Sequence, residues 1–309
     1  MGVMKTVNFD FGETLSSAFQ ITWRRKILWV FSALPILLSF LIFPLMFVPI
    51  FLTDNGSFND PFFVDQPVYM ILFIAFGIFI SLASYALYGI SSSSVILGVV
   101  RADKGDAEGF TFNELFNDAK PYWLRVLGVL LLIGLGVSVI FMVIFGCMAI
   151  FGAVTIGLGF ICMVPLMLLM YPAMLVLYGI IEESQVAVVV DDLGVTDAIR
   201  RGWELVRANF WRIVLISLIV YLGIGILSSI AMIPLISPFF LIPFFMDSGN
   251  FDMTSRTMML ILGGFSLIFF PVMALVQGVG LTFMKSVYAL VYLRLTKSQD
   301  DVPVLETSE

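Results

Sequence analysis

Apolar residues in this chain gather into runs far longer than a strand or an ordinary buried helix needs. The longest, Val126 to Ile181, carries no charged residue over 56 positions. As one continuous helix at about 1.5 Å per residue it would extend roughly 84 Å, against a hydrocarbon core of about 30 Å. It has to fold back once, and the glycines between Gly152 and Gly159, in GAVTIGLG, are the natural turn. The same reading along the chain predicts six spans, near residues 27–52, 68–99, 124–150, 156–181, 213–240 and 258–292. The second and sixth exceed the roughly 20 residues a crossing needs, so they tilt or project beyond the bilayer. The first begins too late and runs too long for the apolar region of a cleaved signal peptide, about 7–15 residues, and is expected to be retained.

Between the spans a second pattern recurs. DFGETLSSAFQITWRRKILW precedes the first span, FTFNELFNDAKPYWLRVL the third, and VTDAIRRGWELVRANFWRIV the fifth. Each opens on a capping residue, Asp10, Thr111 or Thr196. Glu13 and Glu114 follow the first two at the capping-box spacing. Apolar positions then return at helical spacing: Phe11, Leu15, Ala18, Phe19 and Thr22; Phe112, Leu115, Phe116 and Ala119; Ile199, Trp203, Val206 and Phe210. Each segment ends in Trp beside a cation where the apolar run begins, at Trp23/Arg24, Trp123/Arg125 and Trp211/Arg212. Helices of this kind lie in a membrane interface, with the apolar face in the acyl boundary, indoles at headgroup depth and guanidinium groups on anionic lipid. The competing reading is a loop helix packed on the protein itself.

The even-numbered spans repeat too. YGISSSSVILGVVRADKG from Tyr88 parallels YGIIEESQVAVVVDDLG from Tyr178 at an offset of 90. The expected fold is therefore an all-α integral membrane domain over residues 1–299, built from three parallel repeats near 8–105, 106–194 and 195–297. Each repeat is an amphipathic interfacial helix followed by a two-span hairpin, and the copies are related by an axis along the membrane normal.

Composition and charge sharpen this. The chain is 60% hydrophobic and 12% charged, where soluble domains run about half and a quarter. Of its 16 Lys and Arg, all but Arg256 fall in the leader, the second-to-third connection, the fourth-to-fifth connection, or the last span and tail. The positive-inside rule then puts both termini and the longer polar loops in the cytoplasm. Five carboxylates, Asp54, Asp60, Asp65, Asp247 and Asp252, fall on the opposite side, and residues 300–309 form an acidic tail expected to be disordered. Cys147 and Cys162, inside apolar runs, read as small buried hydrophobes. The chain has no histidine, the commonest metal ligand and general base.

The run AVVVDDLGVTDAIRRGWELVRANFWRI, Ala187 to Ile213, resembles a segment of bacterial multi-pass membrane families. Among them is the membrane domain appended to some glycerophosphodiester phosphodiesterases. The shared features are the valine run, Asp191-Asp192, Gly194, the Arg200-Arg201 pair and Trp203 through Trp211. The resemblance implies a prokaryotic cytoplasmic-membrane protein. It carries no catalytic residue across, because the phosphodiesterase chemistry of such fusions belongs to a separate soluble domain. Three units of about a hundred residues are also similar to the mitochondrial carriers, but their Pro-x-Asp/Glu-x-x-Lys/Arg signature is missing after every odd-numbered span.

No phosphate loop, HExxH or GxSxG pattern occurs, and Glu182-Glu183 or Asp191-Asp192, being adjacent on a helix, point about 100° apart. The expected function is thus non-catalytic, without metal or cofactor. It is the organisation or binding of lipid, anionic in character, or of a membrane-protein partner, with no role for nucleic acid. Candidate headgroup contacts are Arg24, Arg25, Lys120, Arg125, Arg200, Arg201, Arg207 and Arg212. The alternative is a transporter or channel for a small solute or lipid. Pro35, Pro44 and Pro49 and then Pro234, Pro238 and Pro243 could break helices as transporters do, yet no ionisable residue reads as lying at bilayer depth. Extending the Tyr-Gly-Ile register to Gln277-Gly-Val gathers a candidate polar ring, Ser92, Ser93, Glu182, Glu183, Thr282 and Lys285. It sits at the cytoplasmic end of the even spans, with Glu183 and Lys285 as the coupled pair. The competing reading has Glu182, Glu183 and Lys285 simply marking the water boundary, with Lys285 snorkelling.

Overall fold

The computed structural model describes residues 10–42, 67–105, 110–155, 163–246 and 255–300, and all regular structure among them is helical. In chain order the helices are α1 (Phe11–Arg24), α2 (Ile27–Phe40), α3 (Pro67–Asp103), α4 (Phe112–Ala119), α5 (Trp123–Val154), α6 (Met163–Val190), α7 (Val195–Ala208), α8 (Phe210–Met246) and α9 (Ser255–Asp300). Five of them, α3, α5, α6, α8 and α9, are long and apolar enough to cross a membrane. α2 is a shorter apolar helix, and the predicted first span beyond residue 42 lies outside the described residues. So do residues 156–159 of the predicted Gly152–Gly159 turn and the tail beyond residue 300.

The helices assemble in a cyclic order. α3, α6 and α9 pack on one another at the centre. Each gap between two of them takes an intervening helix: α2 packs on α9 and α3, α5 on α3 and α6, and α8 on α6 and α9. The short helices follow suit, α1 on α9, α4 on α3 and α7 on α6. Enclosed this way, the C-terminal halves of the central helices need apolar residues on every face. Their sequences supply them in Val95, Ile96 and Val99, in Val186 to Val189, and in Val287 to Tyr292, all buried. The opposite halves are more exposed among the described residues. Tyr171, Pro172, Ala173 and Met174 of α6 are all exposed, and four consecutive helical residues sweep the whole circumference. That turn is exposed on every side among the described residues and suits a surrounding of acyl chains.

Glycine sets how closely the outer helices approach. A β-carbon at Gly278 of α9 would stand 2.8 Å from Ala33 Cβ and 3.0 Å from the Trp29 carbonyl oxygen of α2. One at Gly89 of α3 would stand 2.9 Å from the Trp123 carbonyl of α5, and one at Gly179 of α6 2.8 Å from Ile213 Cγ2 of α8. These are the glycines of Tyr88-Gly-Ile, Tyr178-Gly-Ile and Gln277-Gly-Val, so one motif places three corresponding contacts.

The short helices begin and face differently from the sequence reading in two respects. Asp10 caps α1 through Glu13 N–H, and Thr111 with Glu114 forms a complete capping box on α4. Thr196, however, is not a cap: α7 starts two residues earlier, capped at Gly194, with no side-chain capping bond. The chain reaches Gly194 through Asp192, whose φ of 53° turns it sharply off α6. The buried stripe of α7 is Ala198, Gly202, Leu205 and Val206, which shares only Val206 with the predicted Ile199, Trp203, Val206 and Phe210. Small residues win this face because α7 lies against the α6 backbone, and Trp203 and Phe210 are left exposed. α1 likewise buries Thr14, Ala18 and Thr22 and exposes Phe19. Cys147, expected inside, is free and exposed on α5, because that half of α5 has little protein beside it; Cys162 lies outside the described residues.

Candidate functional site

Polar side chains are buried together where the three central helices meet. Lys285 of α9 retains 3% of its exposure, Glu182 of α6 1% and Glu183 none. These residues do not mark a water boundary, and Lys285 does not snorkel. The Lys285 ammonium donates to Glu182 Oε2 at 2.6 Å and to Gln185 Oε1 at 2.7 Å. Ser92 of α3 donates to the same Gln185 oxygen at 2.6 Å, so the amide ties all three helices together. The ammonium also sits 5.5 Å from the centroid of the Tyr88 ring, whose π-face adds a further attraction. Beside it, Ser32, Tyr88, Ser91, Ser92, Val95, Leu281 and Lys285 line a small cavity with room for about one water molecule.

The six predicted ring positions are all buried, but they do not form one ring. Ser92, Glu182 and Lys285 join through Gln185, a residue the sequence reading missed. Thr282 instead engages α2, at 2.8 Å from Ser32 Oγ, and donates to the Leu28 or Gly278 carbonyl. Ser93 bonds back to its own helix at Gly89 O, 2.9 Å away. Glu183 has no hydrogen-bond partner for either carboxyl oxygen among the described residues, and Gln185 Nε2 has none either. The predicted Glu183–Lys285 pairing is therefore replaced by Glu182–Lys285, since successive helical residues point about 100° apart and only one of the two glutamates can face α9 at that level.

Around this core, exposed ion pairs tie the helix ends. Arg101 meets Asp118, Arg125 Nη1 lies 2.6 Å from Asp192 Oδ1, and Arg294 lies 3.1 Å from Glu13. Tyr292 donates to Asp191. Of the eight cations expected to meet lipid headgroups, Arg125 is thus held by Asp192 and Arg200 by Glu204 at 2.9 Å. Lys120 bonds Asn117 and lies over the Phe116 ring, and Arg25 lies over Phe110. Arg201 interacts with Tyr292 and is half-buried, as is Arg212. Arg24 and Arg207 are exposed with no ion pair among the described residues.

Long apolar helices around a buried polar core fit an all-helical, membrane-embedded protein. The chain belongs to DUF7847, a domain of unknown function, whose family model matches residues 24–295. That match does not extend to the glycerophosphodiester phosphodiesterases, and no link to them is found. No curated protein and no solved structure matches the chain.

Proposed function

We propose that this is a non-catalytic, multi-pass protein of the prokaryotic cytoplasmic membrane, with both termini cytoplasmic, that binds anionic lipid through α1, α4 and α7. One observation carries the reading: α1 and α7 turn small or modest residues inward and leave aromatic and basic ones outward. Trp23 and Trp203 are exposed alongside Arg24, Arg200 and Arg207, and Trp211, which opens α8 just after α7, is exposed at 80%. An indole left in water beside a guanidinium group is costly, whereas at headgroup depth both find partners. The cyclic packing order and the three corresponding glycines support three parallel units, which would present the three helices at one level of the bilayer.

The test is lipid retention by native mass spectrometry after mild extraction. Each basic group near an anionic surface contributes about 1 kcal/mol. Arg24→Gln with Arg207→Gln is expected to reduce bound anionic lipid, while Arg125→Gln, whose cation is already held by Asp192, leaves it unchanged. Equal retention in all three proteins would make the helices packing elements only.

A second reading, a transporter of a small solute or lipid, is favoured by the buried Lys285–Glu182 pair, because ionisable groups inside membrane helices commonly serve transport. Flux of a specific solute into liposomes holding the purified protein would establish it; a tight vesicle would exclude it.

A further inference from the structure

Glu183 is a carboxyl group that the packing does not need. The three junctions between central and outer helices correspond, and each central helix carries, four residues after its contact glycine, a side chain on the same face. At the α3–α5 junction that residue is Ser93, and at the α9–α2 junction it is Thr282. Both hydroxyls bond a carbonyl of their own helix, and Thr282 adds Ser32. At the α6–α8 junction it is Glu183, fully buried, with both oxygens unpartnered among the described residues. Serine or threonine suffices twice; the third junction holds an acid.

The α6–α8 junction that carries Glu183 also holds two buried hydroxyls, and Lys285 is the buried cation among the described residues. Gly179, one turn earlier on the same face, brings α8 close enough that a β-carbon there would stand 3.7 Å from Ser217 Oγ. Ser217 Oγ in turn lies 2.7 Å from Tyr288 Oη of α9, and both residues are buried. Tyr288 and Glu182 are within electrostatic reach of Glu183. The nearby cation, Lys285, already serves Glu182 and Gln185. With both carboxyl groups ionised, Glu182, Glu183 and one ammonium leave the buried charges among the described residues one positive charge short.

We propose that Glu183, with the Ser217 and Tyr288 hydroxyl oxygens, forms a binding site for one small inorganic monovalent cation of the sodium kind. A carboxylate and hydroxyls are hard oxygen donors, suited to such an ion. A single uncompensated carboxylate matches one positive charge, whereas a divalent ion would be left under-neutralised. Gln185 and Lys285 would then fix the neighbouring Glu182 so that it does not compete. This inference is independent of lipid binding at α1, α4 and α7.

The experiment is thermal unfolding of the full chain in detergent, with sodium, lithium or potassium chloride exchanged against choline chloride at constant ionic strength. Wild-type protein is expected to gain melting temperature with sodium in a saturable manner, since a ligand that binds only the folded state stabilises it by mass action. Glu183→Gln should melt at a temperature independent of the cation, and Ser217→Ala should shift the midpoint to several-fold higher sodium. Should Glu183→Gln fail to fold, Ser217→Ala and infrared spectroscopy of wild type carry the test. The carboxylate band should change on sodium addition. A wild-type melting temperature indifferent to the cation, a response retained in Glu183→Gln, or a carboxylic-acid band unchanged by saturating sodium would each overturn the site, the last by showing a bound proton instead.

Discussion

Lys285 Nζ of α9 and Glu182 Oε2 of α6 lie 2.6 Å apart, with both side chains all but sealed from the surface. They come from positions 103 residues apart, so the pair forms only when the central helices have assembled. Coulomb attraction inside a low-dielectric interior is strong, but the cost of removing both charges from water is of the same order. The pair therefore acts less as a source of net stability than as a register pin, since misaligning α6 and α9 strands two buried charges.

Breaking that pin from one side is expected to cost about 3–5 kcal/mol, and removing both charges much less. Lys285→Met and Glu182→Gln should each lower unfolding free energy in detergent sharply, with the double variant recovering most of the loss. Lys285→Met and Glu183→Gln should instead combine more nearly additively, within a coupling well below that of the first cycle. A stronger coupling to Glu183 than to Glu182 would contradict the geometry.

The same residues show how far the sequence can be read. The register Tyr88-Gly-Ile, Tyr178-Gly-Ile, Gln277-Gly-Val gathered polar residues that the structure buries, and its glycines prove to be the points where a neighbouring helix comes close. It could not say which glutamate faces Lys285, a choice of rotation about the helix axis that depends on all three central helices at once. Gln185 went unnoticed although it stands one turn from Glu182, since an amide in a helix has no distinctive signal until its partners are known. Ser217 and Tyr288 were lost in apolar runs, where a hydroxyl reads as neutral. The face of α7 was misread for a related reason. Hydrophobic spacing favours the largest side chains, whereas close packing on α6 selects Gly202 and Ala198.

That packing makes Gly202 a sensitive position. A β-carbon there would stand 2.3 Å from Ser184 Oγ and 2.9 Å from the Ser184 amide nitrogen; the hydroxyl can rotate, but the backbone cannot. Gly202→Ala should force α7 off α6 and cost about 1–3 kcal/mol, as overpacking does. Gly136→Ala in α5, where a β-carbon meets nothing within 4 Å, should be neutral or gain up to about 1 kcal/mol from helix propensity. Limited proteolysis after Arg200 and Arg207 gives a second readout, expected to quicken in Gly202→Ala alone.

Asp192 offers a test of the turn between α6 and α7. Its φ of 53° is in the left-handed region, tolerated by Asp, Asn and Gly but strained for a β-branched residue. Its carboxylate receives Arg125 at an exposed pair, which contributes at most about 1 kcal/mol. Asp192→Gly should therefore change unfolding free energy by less than about 1 kcal/mol in either direction, because lost pairing and relieved strain oppose each other. Asp192→Val loses the pair and worsens the strain, and should be clearly destabilised. Equal stability of the two variants would mean that the conformation at this residue is not what terminates α6.

The orientation proposed from the basic residues is open to direct labelling. Cysteine-free protein, with Cys147 and Cys162 replaced by Ala, would carry single cysteines at chosen sites. Asn113 of α4 is exposed and lies in the connection that holds Arg101, Lys104, Lys120 and Arg125. A cysteine there should resist a membrane-impermeant thiol reagent in intact cells and react once the membrane is opened. Cysteines at Ser57 or Ser248, in the connections that carry the acidic residues Asp54, Asp60, Asp247 and Asp252, should react from outside. Ser184 is unsuitable, because it is fully buried against Gly202 and would stay unlabelled from either side. The short helices pack at the same level as the buried polar core, through Ser184–Gly202 and Thr22–Ser286. Labelling at Asn113 therefore reports on which side of the bilayer that core lies. Reaction at Asn113 from outside intact cells would reverse the topology and remove α1, α4 and α7 from the anionic cytoplasmic leaflet.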